Sequence, residues 1–325
     1  MQKILKLVIK YKSYIFLGLI IVLAAKVFIP QLGELKDGLN ALKTADKSWV
    51  IFGVVIYWLG LPILTWQYMV IAKKALQFWL TFKVQVAGLF VSKLLPSSLG
   101  TLTLNTYYLT VKKHTMPQAT SVMAMNAITS GIAYAILIVF ALILTKSNIG
   151  SIIDELNISW ALVLLILFGL LLFIVIIFKL PKTKKIINKY TAGFTQNIKD
   201  YKTNKKGVLM AILLNAIGSS TSLLALYASA HAVGMDVTLP QAFMAYTFGN
   251  IAAGLVPTPG GLGATEAGLY GAFVLMGYDT GLALSTVLIY RLISFWIPAI
   301  PGYISFWSLR KDVLSKFSVN KKQPD

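Results

Sequence analysis

The chain has 325 residues, 57% of them hydrophobic and only 13% charged, with a formal net charge of +19 and a mean hydropathy of +0.74. That leaves too little polar side chain to cover a soluble globule, while apolar runs repeatedly reach the roughly 18–20 residues that cross a bilayer core. The absence of cysteine excludes disulfides and thiolate chemistry, and the basic charge sits at the ends of apolar segments, as in a polytopic all-α membrane protein rather than a nucleic-acid-binding one.

Ten apolar segments are predicted in chain order. The first, 14–29, follows Lys3, Lys6, Lys10 and Lys12 as a signal peptide would, but no small-residue cleavage site stands near Pro30, so an uncleaved helix is expected. Segments 49–72, 78–95, 98–111, 117–145 and 158–178 come next, followed by 207–233, 240–256, 262–276 and 280–307. Only Pro, Gly and Ser punctuation parts 78–95 from 98–111, and 240–256 from 262–276, so each pair reads as a helical hairpin. At about 1.5 Å per residue, 240–256 is roughly 25 Å long and 262–276 roughly 22 Å, short of a full crossing. The expected architecture is a single integral membrane domain of about six full transmembrane helices plus two re-entrant hairpins. With that topology 22 basic residues lie on the side of both termini against four on the other, which places both termini in the cytoplasm.

The two hairpins correspond. Shifting residues 66–98 by 161 positions aligns Phe82 with Phe243, Gly88 with Gly249, Leu94 with Leu255 and Pro96 with Pro257. After two inserted residues, Leu99-Gly100 meets Leu262-Gly263. One hairpin enters from the cytoplasm and the other from outside, the pattern of an inverted repeat, with repeats at about 49–145 and 207–307. Between them, 179–206 carries Ile186, Ile187, Tyr190, Phe194, Ile198 and Tyr201 at helical spacing among lysines. It reads equally as a helix on the inner leaflet or as a basic loop that fixes orientation.

The stretch from 254 to 270 breaks the pattern. Pro257 and Pro259 donate no backbone hydrogen bonds, and Gly260, Gly261 and Gly263 permit a sharp reversal. Non-helical backbone survives in a bilayer only where protein buries it or a wet cavity adjoins it, so an internal polar cavity is expected. A new helix is predicted to begin near Leu262, its first amides and dipole forming an anion-binding surface suited to a phosphate. Thr258 and Thr265 are candidate hydroxyl donors, and Glu266 falls in the first turn, where the dipole favours a carboxylate. Glu266 is the one acidic residue and Arg291 the one arginine assigned to the membrane, so the two are expected to pair. The pair reads equally as a pin between hairpin and last helix, or as a phosphate-contacting arginine with its orienting carboxylate. Lys93 either faces the same cavity or snorkels to the interface. Asn105, Asn126, Asn215 and Asn250 are candidate cavity polars, and Ser219-Ser220-Thr221-Ser222 is expected to serve close helix packing. His114 and His231 read as ordinary interfacial residues.

The run Val256-Pro257-Thr258-Pro259-Gly260-Gly261-Leu262-Gly263-Ala264-Thr265-Glu266, followed by Tyr290-Arg291 and Phe295-Trp296-Ile297-Pro298, resembles the membrane domain of lysylphosphatidylglycerol synthases. The resemblance covers nearly the whole chain and implies translocation or handling of a lipid with a phosphate-bearing head group, with Tyr290 beside Arg291 at the site. Some relatives append a cytosolic aminoacyltransferase domain. This chain ends eighteen residues after Trp307, so that activity is not expected on it. Relatives often follow the first-repeat glycine with an acidic residue and an arginine, and carry another such pair in the next long helix. Here Gly100 is followed by Thr101-Leu102-Thr103-Leu104-Asn105, and the later position reads Met125-Asn126, so the first-half site is depleted of charge.

The expected function is therefore that of a flippase-like protein of the plasma membrane, with anionic or phosphate-bearing lipids as partners, no cofactor and no metal. The sequence contains no phosphate-binding loop for ATP. Two alternatives stand beside it: a secondary transporter of a small soluble anion, and a non-transporting scaffold that recruits a cytoplasmic enzyme. Catalysis by the chain itself is not expected, because Glu266 has neither a second carboxylate nor a nucleophile–histidine partner nearby in sequence.

Overall fold

The computed structural model describes residues 37, 39–72, 75–94, 99–144, 204–256 and 258–309. The predicted helices 14–29 and 158–178 and nearly all of the basic segment 179–206 lie outside the described residues, as does Pro257. Within them the protein is helical, in this order: α1 Lys47–Ala72, α2 Phe78–Leu94, α3 Leu99–Val111, α4 Met116–Leu144, α5 Lys205–Ala232, α6 Leu239–Leu255, α7 Ala264–Leu275, α8 Thr280–Arg291, a π-helical turn Leu292–Trp296, and α9 Ile297–Leu309. Four stretches are long and apolar enough to cross a bilayer: α1, Met116–Ile138 of α4, α5, and the α8–α9 rod over Thr280–Leu309. The remaining four helices form two hairpins, α2 with α3 and α6 with α7.

Local chemistry accounts for the boundaries. Asn204 caps α5 by accepting from the Gly207 amide. Thr238 and Gln241 form a reciprocal capping box at the start of α6, with proline in its first turn. Asp279 caps α8 through the Leu282 amide at 2.9 Å. Gly260, Gly261 and Gly263 have φ of 63°, 69° and 74°, backbone that a side-chain-bearing residue adopts only under strain, and they carry the chain from α6 into α7.

Lipid tails are as apolar as leucine, so helices associate in a membrane by close packing rather than by escaping water. α1 and α5 follow that rule at the centre of the molecule. A Cβ on Gly218 would meet Leu64 Cδ2 at 2.6 Å, and one on Gly53 would meet Ile293 Cδ1 at 2.9 Å and Ala228 Cβ at 3.4 Å. Thr221 packs against Gly60 in the same seam. Two buried clusters flank it. Tyr108, Leu109, Val84, Ala87 and Met123 centre one on the first four helices, and Phe273, Leu269, Leu226, Val287 and Ile289 centre the other on the later ones. Ile51, Leu59, Trp66, Leu213, Ile217, Ile300 and Ile304 face outward, as lipid contact requires. Both histidines are structural: His114 is buried with ring nitrogens 3.2 and 3.1 Å from the Leu109 and Ala72 carbonyls, and His231 stacks on Trp49 at 4.9 Å.

The last rod is not the continuous α-helix that 280–307 predicts. Pro298 has no N–H to give the Ser294 carbonyl one turn below it. The chain widens instead, with the Ile297 amide donating to Leu292 O, and Tyr57 OH donates to the Ser294 carbonyl at 3.2 Å. A π turn of this kind rotates the side chains beyond it out of α register. Here it begins one residue after Arg291 and contains Phe295.

Candidate functional site

The end of α2 and the turn before α7 both arrive at the π turn. Lys93 lies in the last turn of α2, and its Nζ sits 4.3 Å from the centroid of the Phe295 ring. The Arg291 guanidinium carbon lies 4.5 Å from the same centroid. Gly260 wedges between these groups: a Cβ there would meet Phe295 Cε2 at 2.5 Å and the Lys93 Cα at 3.4 Å. Glycine is therefore needed at 260 twice over, for its positive φ and for the approach of two neighbouring elements.

Arg291 holds this junction together. Its Nε is paired with Glu266 Oε1, and its Nη2 donates to the Gly260 carbonyl at 3.3 Å. The predicted ion pair is present and mostly buried, with side-chain exposures of 8% for Arg291 and 15% for Glu266. It is an electrostatic contact rather than a well-aligned hydrogen bond, because neither carboxylate oxygen nor Nε has a hydrogen-bond partner. Removing either member of a buried pair costs about 3–5 kcal/mol, since the other charge is then stranded.

Around the junction is a cavity of about 350 Å³. Lys93 and Ser92 line it from the first hairpin, Asn250, Thr258, Gly260, Gly261 and Thr265 from the second. Tyr57, Ser222, Tyr290, Arg291, Ser294 and Phe295 complete the wall. Lys93 is 6% exposed and has no carboxylate within ion-pair distance among the described residues, so it faces the cavity and does not snorkel. Two cations thus face one carboxylate here, and Glu266 stands behind Arg291 rather than in the cavity wall.

Three expectations need correction. α7 begins at Ala264, with Gly263 as its N-cap, two residues later than predicted. Its amides are not simply bare: Thr265 N–H donates to Gly261 O at 2.9 Å, and the turn before it closes through Gly261 N–H to Thr258 O at 3.0 Å and Leu262 N–H to Pro259 O at 3.3 Å. Thr258 Oγ1 likewise donates into the turn, to Leu262 O at 2.8 Å, and offers no free donor. The tight reversal consumes donors that a straight helix start would have left open, so the positive character of the site rests on Lys93 and Arg291.

Asn105 and Asn126 do not join this cavity. They line a second one of about 540 Å³, with Gln67, Gln85, Thr101, Ser130, Tyr134, Asn215 and Ser219. Tyr246 and Asn250 border both cavities. The serine–threonine run is divided: Thr221 packs against Gly60, whereas Ser219 and Ser222 line the larger and the smaller cavity. Sequence reading passed over Tyr57, Tyr246 and Ser294, which look like ordinary membrane-helix residues, and took Phe295 only as part of the family-like run. It also passed over Gln67 and Gln85, for which a signal existed: amides in the middle of apolar helices are costly unless they face a partner or a cavity.

Comparison with known proteins agrees with this architecture. A stretch of 112 residues is 29% identical to a UPF0104 membrane protein of Methanothermobacter thermautotrophicus, covering 34% of this chain and 32% of that protein. A stretch of 83 residues is 34% identical to a UPF0104 membrane protein of Pyrococcus horikoshii, covering 26% of this chain and 25% of the relative. The matched stretches thus span about a third and a quarter of those relatives. Residues 15–302 match the lysylphosphatidylglycerol synthase TM region, and the chain belongs to that family of membrane proteins.

Proposed function

We propose that this protein is flippase-like and passes or holds a lipid whose phosphate-bearing head group enters the smaller cavity while its chains stay in the bilayer. The charge balance of that cavity carries the reading: among the described residues, Lys93 and Arg291 are opposed by Glu266 alone. An unpaired cation is expensive inside a membrane, and an anionic ligand offsets that cost. A phosphodiester brings one negative charge to a site with one positive charge in excess. Arginine contributes a planar fork of donors to phosphate oxygens and lysine a mobile point charge. Membership of a family described by a lipid-modifying synthase points to the same ligand class.

In this reading the four helices α1–α4 and the set α5–α9 are inverted repeats, the hairpins are re-entrant, and the protein lies in the plasma membrane with both termini in the cytoplasm. Movement is passive or ion-coupled, and the chain performs no covalent chemistry. The test is reconstitution into vesicles containing acyl-labelled phosphatidylglycerol, with loss of leaflet protection followed in time. The wild type is expected to accelerate exchange, and Lys93→Gln to slow it at least tenfold while remaining folded. Folded protein that accelerates no anionic lipid sinks the proposal.

A further inference from the structure

Among the described residues, no Lys, Arg, Asp or Glu lines the larger cavity. It is lined instead by six side-chain amides: Gln67, Gln85, Asn105, Asn126, Asn215 and Asn250. A neutral amide offers donors and acceptors together, and buried ones are retained only when those capacities are used. Some are used within the protein. Gln67 Nε2 donates to Thr129 at 3.3 Å, Gln85 Nε2 to Asn105 Oδ1 at 3.1 Å, and Asn215 Nδ2 to Ser130 at 2.7 Å. Ser219 donates to Asn215 Oδ1 at 3.1 Å.

These bonds orient the network and leave part of it facing inward. The whole amide of Asn126, the Nδ2 of Asn105 and the Oε1 atoms of Gln67 and Gln85 have no hydrogen-bond partner among the described residues. None of these atoms is sealed from the cavity, since the buried unpartnered polar atoms lie elsewhere. The chamber therefore presents fixed donors and acceptors without charge. Its volume of about 540 Å³ falls within the roughly 300–1,000 Å³ usual for ligand sites.

A cationic head group would find no carboxylate in such a chamber, and a purely apolar group would leave the amides unpaired. Hydroxyl groups, which both donate and accept, satisfy mixed amide sites. Tyr246 and Asn250 line both cavities, which therefore lie side by side. We propose that the two cavities read one phosphate ester in two parts: its phosphate at Lys93 and Arg291, and a neutral polyol or sugar among the amides of Gln67, Gln85, Asn105 and Asn126. This rests on the phosphate site proposed above and adds the chemistry of what the phosphate carries.

The experiment compares acyl-labelled phosphatidylinositol, phosphatidylglycerol, phosphatidic acid and phosphatidylethanolamine in vesicles reconstituted with the full chain. Parallel vesicles are given radiolabelled inositol 1-phosphate and glycerol 3-phosphate. The expected result is movement of the two polyol lipids at least tenfold faster than phosphatidic acid, with phosphatidylethanolamine slowest. Asn126→Ala removes an amide that holds no other residue, so the fold is expected to persist, checked by its melting temperature. In that variant the ratio of phosphatidylinositol to phosphatidic acid rates falls toward one, whereas Lys93→Gln slows all anionic lipids alike. Equal rates for phosphatidic acid and the polyol lipids, or preference for phosphatidylethanolamine, overturn the polyol inference and leave the phosphate site standing. Uptake of the soluble esters without lipid movement overturns the lipid reading and keeps the polyol-phosphate chemistry. No movement of any compound overturns both.

Discussion

The hairpin α2–α3 and the hairpin α6–α7 are built to one plan and filled with different chemistry. α2 and α6 have seventeen residues each, α3 has thirteen and α7 twelve. Gly88 sits at the helix contact of the first hairpin, against Thr101, and Gly249 at that of the second, against Leu269. The second hairpin carries Glu266 and is pinned by Arg291, while the neutral residues Gln85, Thr101 and Asn105 of the first line the amide chamber. Lys93, in the last turn of α2, faces the second hairpin's cavity from the first hairpin. The contrast teaches that backbone plan and ligand chemistry are separable: a shared scaffold fixes where polar groups meet, and a few side chains set the charge found there.

The largest expected effect tests the charged half against the neutral one. Glu266→Ala strands the Arg291 guanidinium and is expected to cost about 3–5 kcal/mol, whereas Asn105→Ala frees one amide of Gln85 and costs about 1 kcal/mol. Thermal unfolding of the two variants in detergent measures the difference, and equal losses would erase the distinction. Exchanging the charges, Glu266→Arg with Arg291→Glu, is expected to restore part of that stability while abolishing lipid movement, because a carboxylate then lines the cavity. Full movement by the exchanged protein would reduce the pair to a structural pin.

A smaller effect compares the glycines. A Cβ at Gly249 meets Leu269 Cγ at 2.8 Å, and one at Gly88 meets Thr101 Cγ2 at 3.3 Å. Gly249→Ala is expected to lose about 1–3 kcal/mol through overpacking. Gly88→Ala is expected to be near neutral, because alanine gains up to about 1 kcal/mol of helix propensity. A larger loss at 88 than at 249 would mean that the first hairpin is the tighter one. The smallest effect concerns the π turn: Tyr57→Phe leaves the Ser294 carbonyl without its donor, for a loss of about 1 kcal/mol. Recovery by Pro298→Ala in the same background would show that the missing proline N–H creates the need for Tyr57.

The sequence by itself determined the helices and their breaks. Membrane helices must satisfy their own backbone, so apolar length, proline and glycine mark their extents directly. That is why α1–α7 begin and end within about two residues of expectation, and why the 161-residue shift carries the bounds of α2 onto those of α6. The Glu266–Arg291 pair was legible for a related reason, since lone opposite charges in an apolar environment need each other. Only the tertiary structure decided which hairpin tip faces which, and so that Lys93 shares the Phe295 ring with Arg291. It alone divided Asn105, Asn126 and Asn215 from the charged junction, closed the turn amides on themselves and opened the π turn at Pro298. Those outcomes depend on contacts between residues far apart in the chain, and periodicity along one helix carries no information about what stands opposite it.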